Sequence, residues 1–161
     1  VFEELLGLPA HPLLVHAAVV FAPLLIAGVV VYSFVPSVRR YIGWAVLLLG
    51  VAAPIALWFA RQSGEALFTT LVEKGYPPQI LAQVDLHKDF GDAAAWAGTL
   101  LGVLAIALVL FTHSAAKKPA TSGSRAAGWA LVALNLLAAG ATAYYVFKTG
   151  DTGAQAVWSN I

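Results

Sequence analysis

Cysteine is absent from the 161 residues, and with it go disulfides, thiolate metal sites and covalent haem attachment through a Cys-X-X-Cys-His motif. Redox chemistry therefore carries no information on compartment. Methionine is absent as well, the initiator included, so the true start of the polypeptide is not in view and a cleaved signal peptide upstream is one expectation. Charge is scarce: Asp, Glu, Lys and Arg make up 11% of the chain and sum to +1. Without a basic stripe there is no electrostatic footprint for nucleic acid. No Ser-His-Asp spacing, Gly-rich phosphate loop or nucleophile elbow is present, which sets aside hydrolytic and nucleotide-dependent activities.

What the chain does have is apolar surface. Sixty per cent of its residues are hydrophobic and its mean hydropathy is +0.82, too greasy for a soluble domain of this size. Four apolar runs, 12–34, 41–60, 90–112 and 126–147, each approach the roughly 20 residues that a helix needs to cross about 30 Å of hydrocarbon. Pro12 suits a first helical turn, while Pro23 and Pro54 fall inside spans, where neighbouring helices satisfy the freed carbonyls. The expected fold is an all-α integral membrane four-helix bundle, residues 1–161 forming a single four-span domain. No internal repeat is evident from the sequence.

Orientation follows from the short loops. Arg39 and Arg40, then Lys117, Lys118 and Arg125, mark the cytoplasmic side. All eight acidic residues, Glu3, Glu4, Glu65, Glu73, Asp85, Asp89, Asp92 and Asp151, fall on or near the other side. Both termini and the connection 61–89 then face outward, in a multi-pass protein of the bacterial inner membrane. Within that connection Leu67, Phe68, Leu71 and Val72 recur at helical spacing, as do Ile80, Leu81 and Val84. This predicts two short amphipathic helices lying across the outer end, as an interfacial cap or as a lid over a site.

In the third span Gly91, Ala94, Ala95, Gly98 and Gly102 form a small-residue face, suited to close helix packing or to a flat cofactor. Asn135 is expected to hydrogen-bond between helices. Trp58, Tyr144, Tyr145 and Trp158 fit an outer aromatic belt, with Tyr41, Trp44 and Trp129 fitting an inner one.

The chemistry concentrates at the outer end. His11 and His16 stand at the entrance of the first span, and a buried polar group without a partner costs roughly 2–7 kcal/mol, so His16 demands a partner, a ligand or local water. Five residues apart, the two differ by about 140° around a helix and would not chelate from one face. The expectation is that His11 stays in the first turn while His16 projects inward toward His87, with Glu65, Asp89, Asp92 and Asp151 nearby.

Three chemistries fit. A b-type haem would take His16 and His87 as axial ligands, with Arg61 or Lys88 near the propionates. A single transition-metal ion would take His11, His16, His87 and one of Glu65, Asp89 or Asp92. The third reading is structural, with the histidines bonded to carboxylates and loop carbonyls.

The pattern His11-Pro12-Leu13-Leu14-Val15-His16 resembles the HPxxVH signature of the bacterial membrane proteins grouped as domain of unknown function 2231. Asp85-Leu86-His87-Lys88-Asp89 is similar to that family's single histidine before or early in the third helix, and Thr149-Gly150-Asp151-Thr152-Gly153-Ala154 to its Gly-rich segment after the fourth. The resemblance runs over residues 7–158. It implies a redox association, since some members are joined to Rieske-type or cytochrome-like domains, and so favours haem over a bare metal. The chain departs from the pattern at Ala17-Ala18, where many relatives have Phe-Pro or Leu-Pro, and at Asp151, where some carry a further histidine. The resulting expectation is a haem b or metal protein that exchanges electrons with a membrane or periplasmic redox partner, alone or within an oligomer. The alternatives are a non-catalytic accessory subunit of a larger membrane complex and, with few polar groups along the spans to support it, a substrate transporter.

Overall fold

The computed structural model describes residues 4–5, 8–117, 119 and 121–158, with side chains from residue 10 onward. Glu3 and Lys118, used above for orientation, lie outside the described residues. A two-residue antiparallel pairing of β1 (Glu4–Leu5) with β2 (Leu8–Pro9) leads into four helices: α1 (Ala10–Phe34), α2 (Arg39–Glu73), α3 (Pro78–Ala115) and α4 (Ser122–Trp158). All four are long and apolar enough to cross a bilayer. The chain is an all-α, four-span membrane bundle.

The helices outrun the apolar runs that predict them. At 1.5 Å per residue the 38 residues of α3 reach about 57 Å, well beyond about 30 Å of hydrocarbon. The connection between the second and third spans is corrected accordingly. Among the described residues no separate amphipathic helices cross the end of the bundle; α2 continues to Glu73 and α3 begins at Pro78. Nothing between Ala60 and Glu73 breaks a helix, so the change from apolar to charged residues alters what surrounds α2 without ending it.

What ends α2 is Gly75. At φ +69° it adopts the left-handed conformation, and the N–H groups of Tyr76 and Gly75 bond back to the carbonyls of Leu71 and Val72. Pro78 then opens α3, where its missing N–H removes no bond. At the opposite end, a 3₁₀ turn (Pro36–Val38) joins α1 to α2, and the Arg39 guanidinium donates to the last carbonyls of α1, at Tyr32 and Ser33. Thr121 and Ser124 cap α4 reciprocally, each hydroxyl accepting from the other's backbone N–H.

The small-residue face of α3 serves packing. A methyl group at Gly102 would run into the Gly50 carbonyl and Pro54, and one at Gly98 into Leu57. Lipid tails give helices no hydrophobic reason to associate, so this backbone contact is where dispersion forces hold α2 to α3. Asn135, fully buried, donates to the carbonyls of Leu104 and Leu131 at 3.0 and 2.9 Å and ties α4 to α3. Large side chains such as Trp44, Trp129 and Phe147 point outward, as lipid-facing positions do.

The bundle also contains a repeat. A shift of 76 residues, the interval from His11 to His87, carries the buried positions of α1 from Ala18 to Ser33 onto buried positions of α3 from Ala94 to Val109. A shift of 89 carries Val46, Gly50, Ala53 and Ser63 of α2 onto the buried Asn135, Ala139, Thr142 and Thr152 of α4. The hairpins α1–α2 and α3–α4 are therefore equivalent halves with the same direction. Few of the matched residues are identical, which hides the repeat from the sequence.

Candidate functional site

His11 is the second residue of α1. Its ring lies against α2, where Nδ1 is 3.0 Å from the Ala60 carbonyl oxygen and 3.1 Å from Ser63 Oγ. A carbonyl can only accept, so Nδ1 carries the proton and Nε2 of the neutral ring is left with its lone pair. The ring rests on Gly64, where an added methyl would lie 3.1 Å from Cε1.

His87 repeats this arrangement in the other half. Its Nδ1 donates to the Thr149 carbonyl of α4 at 2.9 Å, Thr152 Oγ1 is 3.5 Å from the same nitrogen, and a methyl at Gly153 would lie 2.9 Å from Cε1. In each case the partner helix supplies a carbonyl at i, a hydroxyl at i+3 and a glycine at i+4, which share one helical face. The two rings meet across the middle of the bundle with centroids 6.0 Å apart and planes at 79°. Among the described residues, the hydrogen bonds of both rings are made through Nδ1.

Both imidazoles line a cavity of about 510 Å³ at the end where α1 and α3 begin. Its walls obey the same correspondence: Val15 and Gly91, Ala18 and Ala94, Leu57 and Val146 take equivalent places. The hairpin formed by the extended ends of α2 and α3 adds Leu67, Leu71, Tyr76, Ile80 and Val84, so the segment expected to act as a cap or lid is a wall of the cavity.

The charged groups gather on the α2–α3 side. Arg61 engages Asp92 with two nitrogens, Nε at 2.8 Å and Nη2 at 3.0 Å. Lys88 Nζ is 3.1 Å from Glu65, 3.8 Å from Asp85 and 4.0 Å above the Phe68 ring. Arg61, Glu65, Lys88 and Asp92 all border the cavity, and both cations already share their charge with carboxylates.

His16 requires a correction. It does not project toward His87; it is exposed on the outside of α1, its Nδ1 donating to the Pro12 carbonyl at 2.6 Å. The rotation of about 140° between positions five apart operates as expected, but it turns His16 outward and His11 inward. Asp89 is exposed, and Asp151 pairs with Lys148 and accepts from Gln155 away from the cavity. Among the described residues no three of His, Asp or Glu come close enough to hold a metal ion, so the donor set His11, His16, His87 plus a carboxylate is not assembled.

Ser63 and Gly64 were not singled out by sequence, and Thr149, Thr152 and Gly153 entered only within the Gly-rich segment of the resemblance. The signal was present in the parallel spacing of Ala60-Arg61-Gln62-Ser63-Gly64 and Thr149-Gly150-Asp151-Thr152-Gly153, which becomes visible once His11 and His87 are superposed.

Fold and site together define a two-fold repeated, four-span membrane bundle with a pair of equivalent imidazoles in a cavity at one end. The chain belongs to the family described as "Predicted membrane protein (DUF2231)", whose family model matches residues 7–160. No curated protein and no solved structure matches it.

Proposed function

We propose that His11 and His87 are the two axial ligands of a b-type haem, and that the protein carries electrons to or from a redox partner in or beside a bacterial inner membrane. The observation that carries this reading is the pair itself: two imidazoles from equivalent helices, each held through Nδ1 by a backbone carbonyl, leave two Nε2 lone pairs at one cavity. Metal-binding histidines are commonly held this way, the second nitrogen fixing tautomer and ring orientation. A metal–imidazole bond is about 2.0–2.1 Å, so two rings that meet edge to face with centres 6.0 Å apart are near enough to reach one ion once they turn toward it. Two protein donors are too few for a closed zinc site but suffice for haem, whose macrocycle supplies the other four.

The cavity, about 510 Å³ and walled mainly by apolar side chains, falls within the usual range of cofactor pockets. Gly91 and Gly150 leave parts of its wall without side chains. Arg61 and Lys88 are the cations available to the propionates, which would share them with Asp92 and Glu65. Bound iron would accept and release one electron; the protein's part is to fix the imidazoles and exclude water. The basic residues Arg39, Arg40, Lys117 and Arg125 sit toward the opposite end, which supports an outward, periplasmic site.

The hydrogen bonds that favour ligation also favour a second reading, an accessory subunit in which the histidines only tie each hairpin together. Optical spectra separate the two. Protein purified in detergent, or reconstituted with hemin, should show a Soret band and, after dithionite, a sharp α band. A featureless spectrum under both conditions overturns the haem reading and leaves the structural one.

A further inference from the structure

The two halves of the bundle differ sharply at their seams. Where α2 meets α3, Arg61 clasps Asp92 and Glu65 clasps Lys88, with Phe68 beneath the ammonium group. The equivalent positions where α4 meets α1 are Gly150 and His16, Ala154 and Pro12, with Val157 in place of Phe68. Neither ion pair is repeated there. A side chain at Gly150 would meet nothing within 4 Å, and α1 and α4 touch much less than α2 and α3 do. Burial follows the same division: Ala95 is 0% exposed on the closed seam, whereas its counterpart Val19 is 59% exposed. Val157 is 62% exposed. Yet Val19, Gly150 and Val157 all line the cavity that contains His11 and His87.

We infer that the α1–α4 seam is a lateral portal through which the cavity takes its ligand from the bilayer, the α2–α3 seam being locked by the two ion pairs. Val19 lies two turns into the span from His11, at a depth where neighbouring surface is lipid-facing. An opening there admits a molecule dissolved in or lying along the membrane. The ligand class is an amphiphile with an apolar ring system, which must accept coordination by, or donate a hydrogen bond to, the free Nε2 atoms. Haem belongs to that class, so the inference adds a route to the preceding reading, but the portal itself rests on the seam and needs no iron.

The test transplants the lock. His16→Asp with Gly150→Arg copies Asp92 and Arg61 onto the open seam. Because the chain has no cysteine, Gly91→Cys can carry a single nitroxide label across the cavity, where its Cβ meets only a methyl of Thr149 at 3.9 Å. In proteoliposomes without haem, the label's collision rate is measured with oxygen, which concentrates in the bilayer, and with a water-soluble nickel chelate. With an open α1–α4 seam, collisions with oxygen exceed those with nickel, and the transplanted pair lowers the oxygen rate several-fold while His16→Asp alone does not. If the double variant fails to fold, Pro12→Lys with Ala154→Glu, copying Lys88 and Glu65, should give the same loss. An oxygen rate unchanged by a folded locked variant, or a nickel rate dominating in the parent, overturns the portal. A featureless haem spectrum alongside a positive oxygen result would leave the portal serving a different membrane-dissolved ligand.

Discussion

Gly153 lies against the imidazole of His87, so close that the methyl group of an alanine would stand 2.9 Å from Cε1 and 3.1 Å from Nδ1. Gly64 has the same relation to His11, at 3.1 and 3.4 Å. Contacts this short force the ring to move, and moving it stretches the Nδ1 hydrogen bond to a carbonyl one turn earlier on the same helix. Gly153→Ala is therefore expected to destabilise the protein by about 1–3 kcal/mol, with Gly64→Ala at the lower end because its contact is looser. Gly140→Ala, whose methyl would meet nothing within 4 Å, should be neutral or stabilising by up to about 1 kcal/mol. Thermal unfolding in detergent, followed by circular dichroism, checks the order.

The histidines should separate by position. Under the proposed ligation, His11→Leu and His87→Leu each abolish the Soret and α bands of the reconstituted protein. His16→Leu leaves them in place, since its ring lies outside the cavity and bonds only within its own turn. If His16→Leu alone removed the bands, the assignment of the ligand pair would be wrong.

Ser63→Ala and Thr152→Ala remove the hydroxyls beside the two Nδ1 atoms while leaving the carbonyls that accept from them. Each should cost about 0.5–1.5 kcal/mol in unfolding free energy. A titration with hemin should show weakened but not abolished binding, because ring orientation is loosened and the ligand is retained.

The Arg61–Asp92 pair makes one hydrogen bond, through Nη2, and is partly solvated, with side-chain exposures of 32% and 45%. Its contribution to stability is expected to be small, no more than about 1 kcal/mol in a double-mutant cycle, and to shrink with added salt. Its larger effect should be on the closed seam: Asp92→Ala with the nitroxide at Gly91→Cys should raise, not lower, the oxygen collision rate.

Asn135 donates two hydrogen bonds, while its Oδ1 is buried without a partner among the described residues. Asn135→Leu loses the interhelical bond to Leu104 but also the buried unpaired oxygen, and interhelical hydrogen bonds in membranes average well below 2 kcal/mol. The expected change in stability is therefore within about 1 kcal/mol, measured by unfolding in detergent.

Membrane residence, the number of spans and the all-α class were legible in the sequence because hydropathy is a local property: about 20 consecutive apolar residues announce a span wherever they occur. His11 and His87 were candidates for the same reason, since imidazoles stand out in so apolar a chain. Asn135 was legible as an interhelical tie because a lone amide in a span has few other uses. Helix ends were not, since α2 and α3 continue through charged residues, and what stops them is the left-handed turn at Gly75, which hydropathy does not register. The expected inward placement of His16 failed because spacing fixes the angle between two residues on a helix but not which of them faces the neighbours.

The sequence by itself determined that this chain is a four-span membrane protein with three of its four histidines gathered toward one end of its spans. Only the tertiary structure decided that His11 rather than His16 meets His87, that the hairpins repeat one another, and that the ion pairs of one seam have no counterpart in the other. Each of these depends on the rotation of one helix against another. That rotation is set by packing contacts such as Gly102 on Gly50 and His87 on Gly153, between residues far apart in the chain whose identities carry no local signal of the meeting.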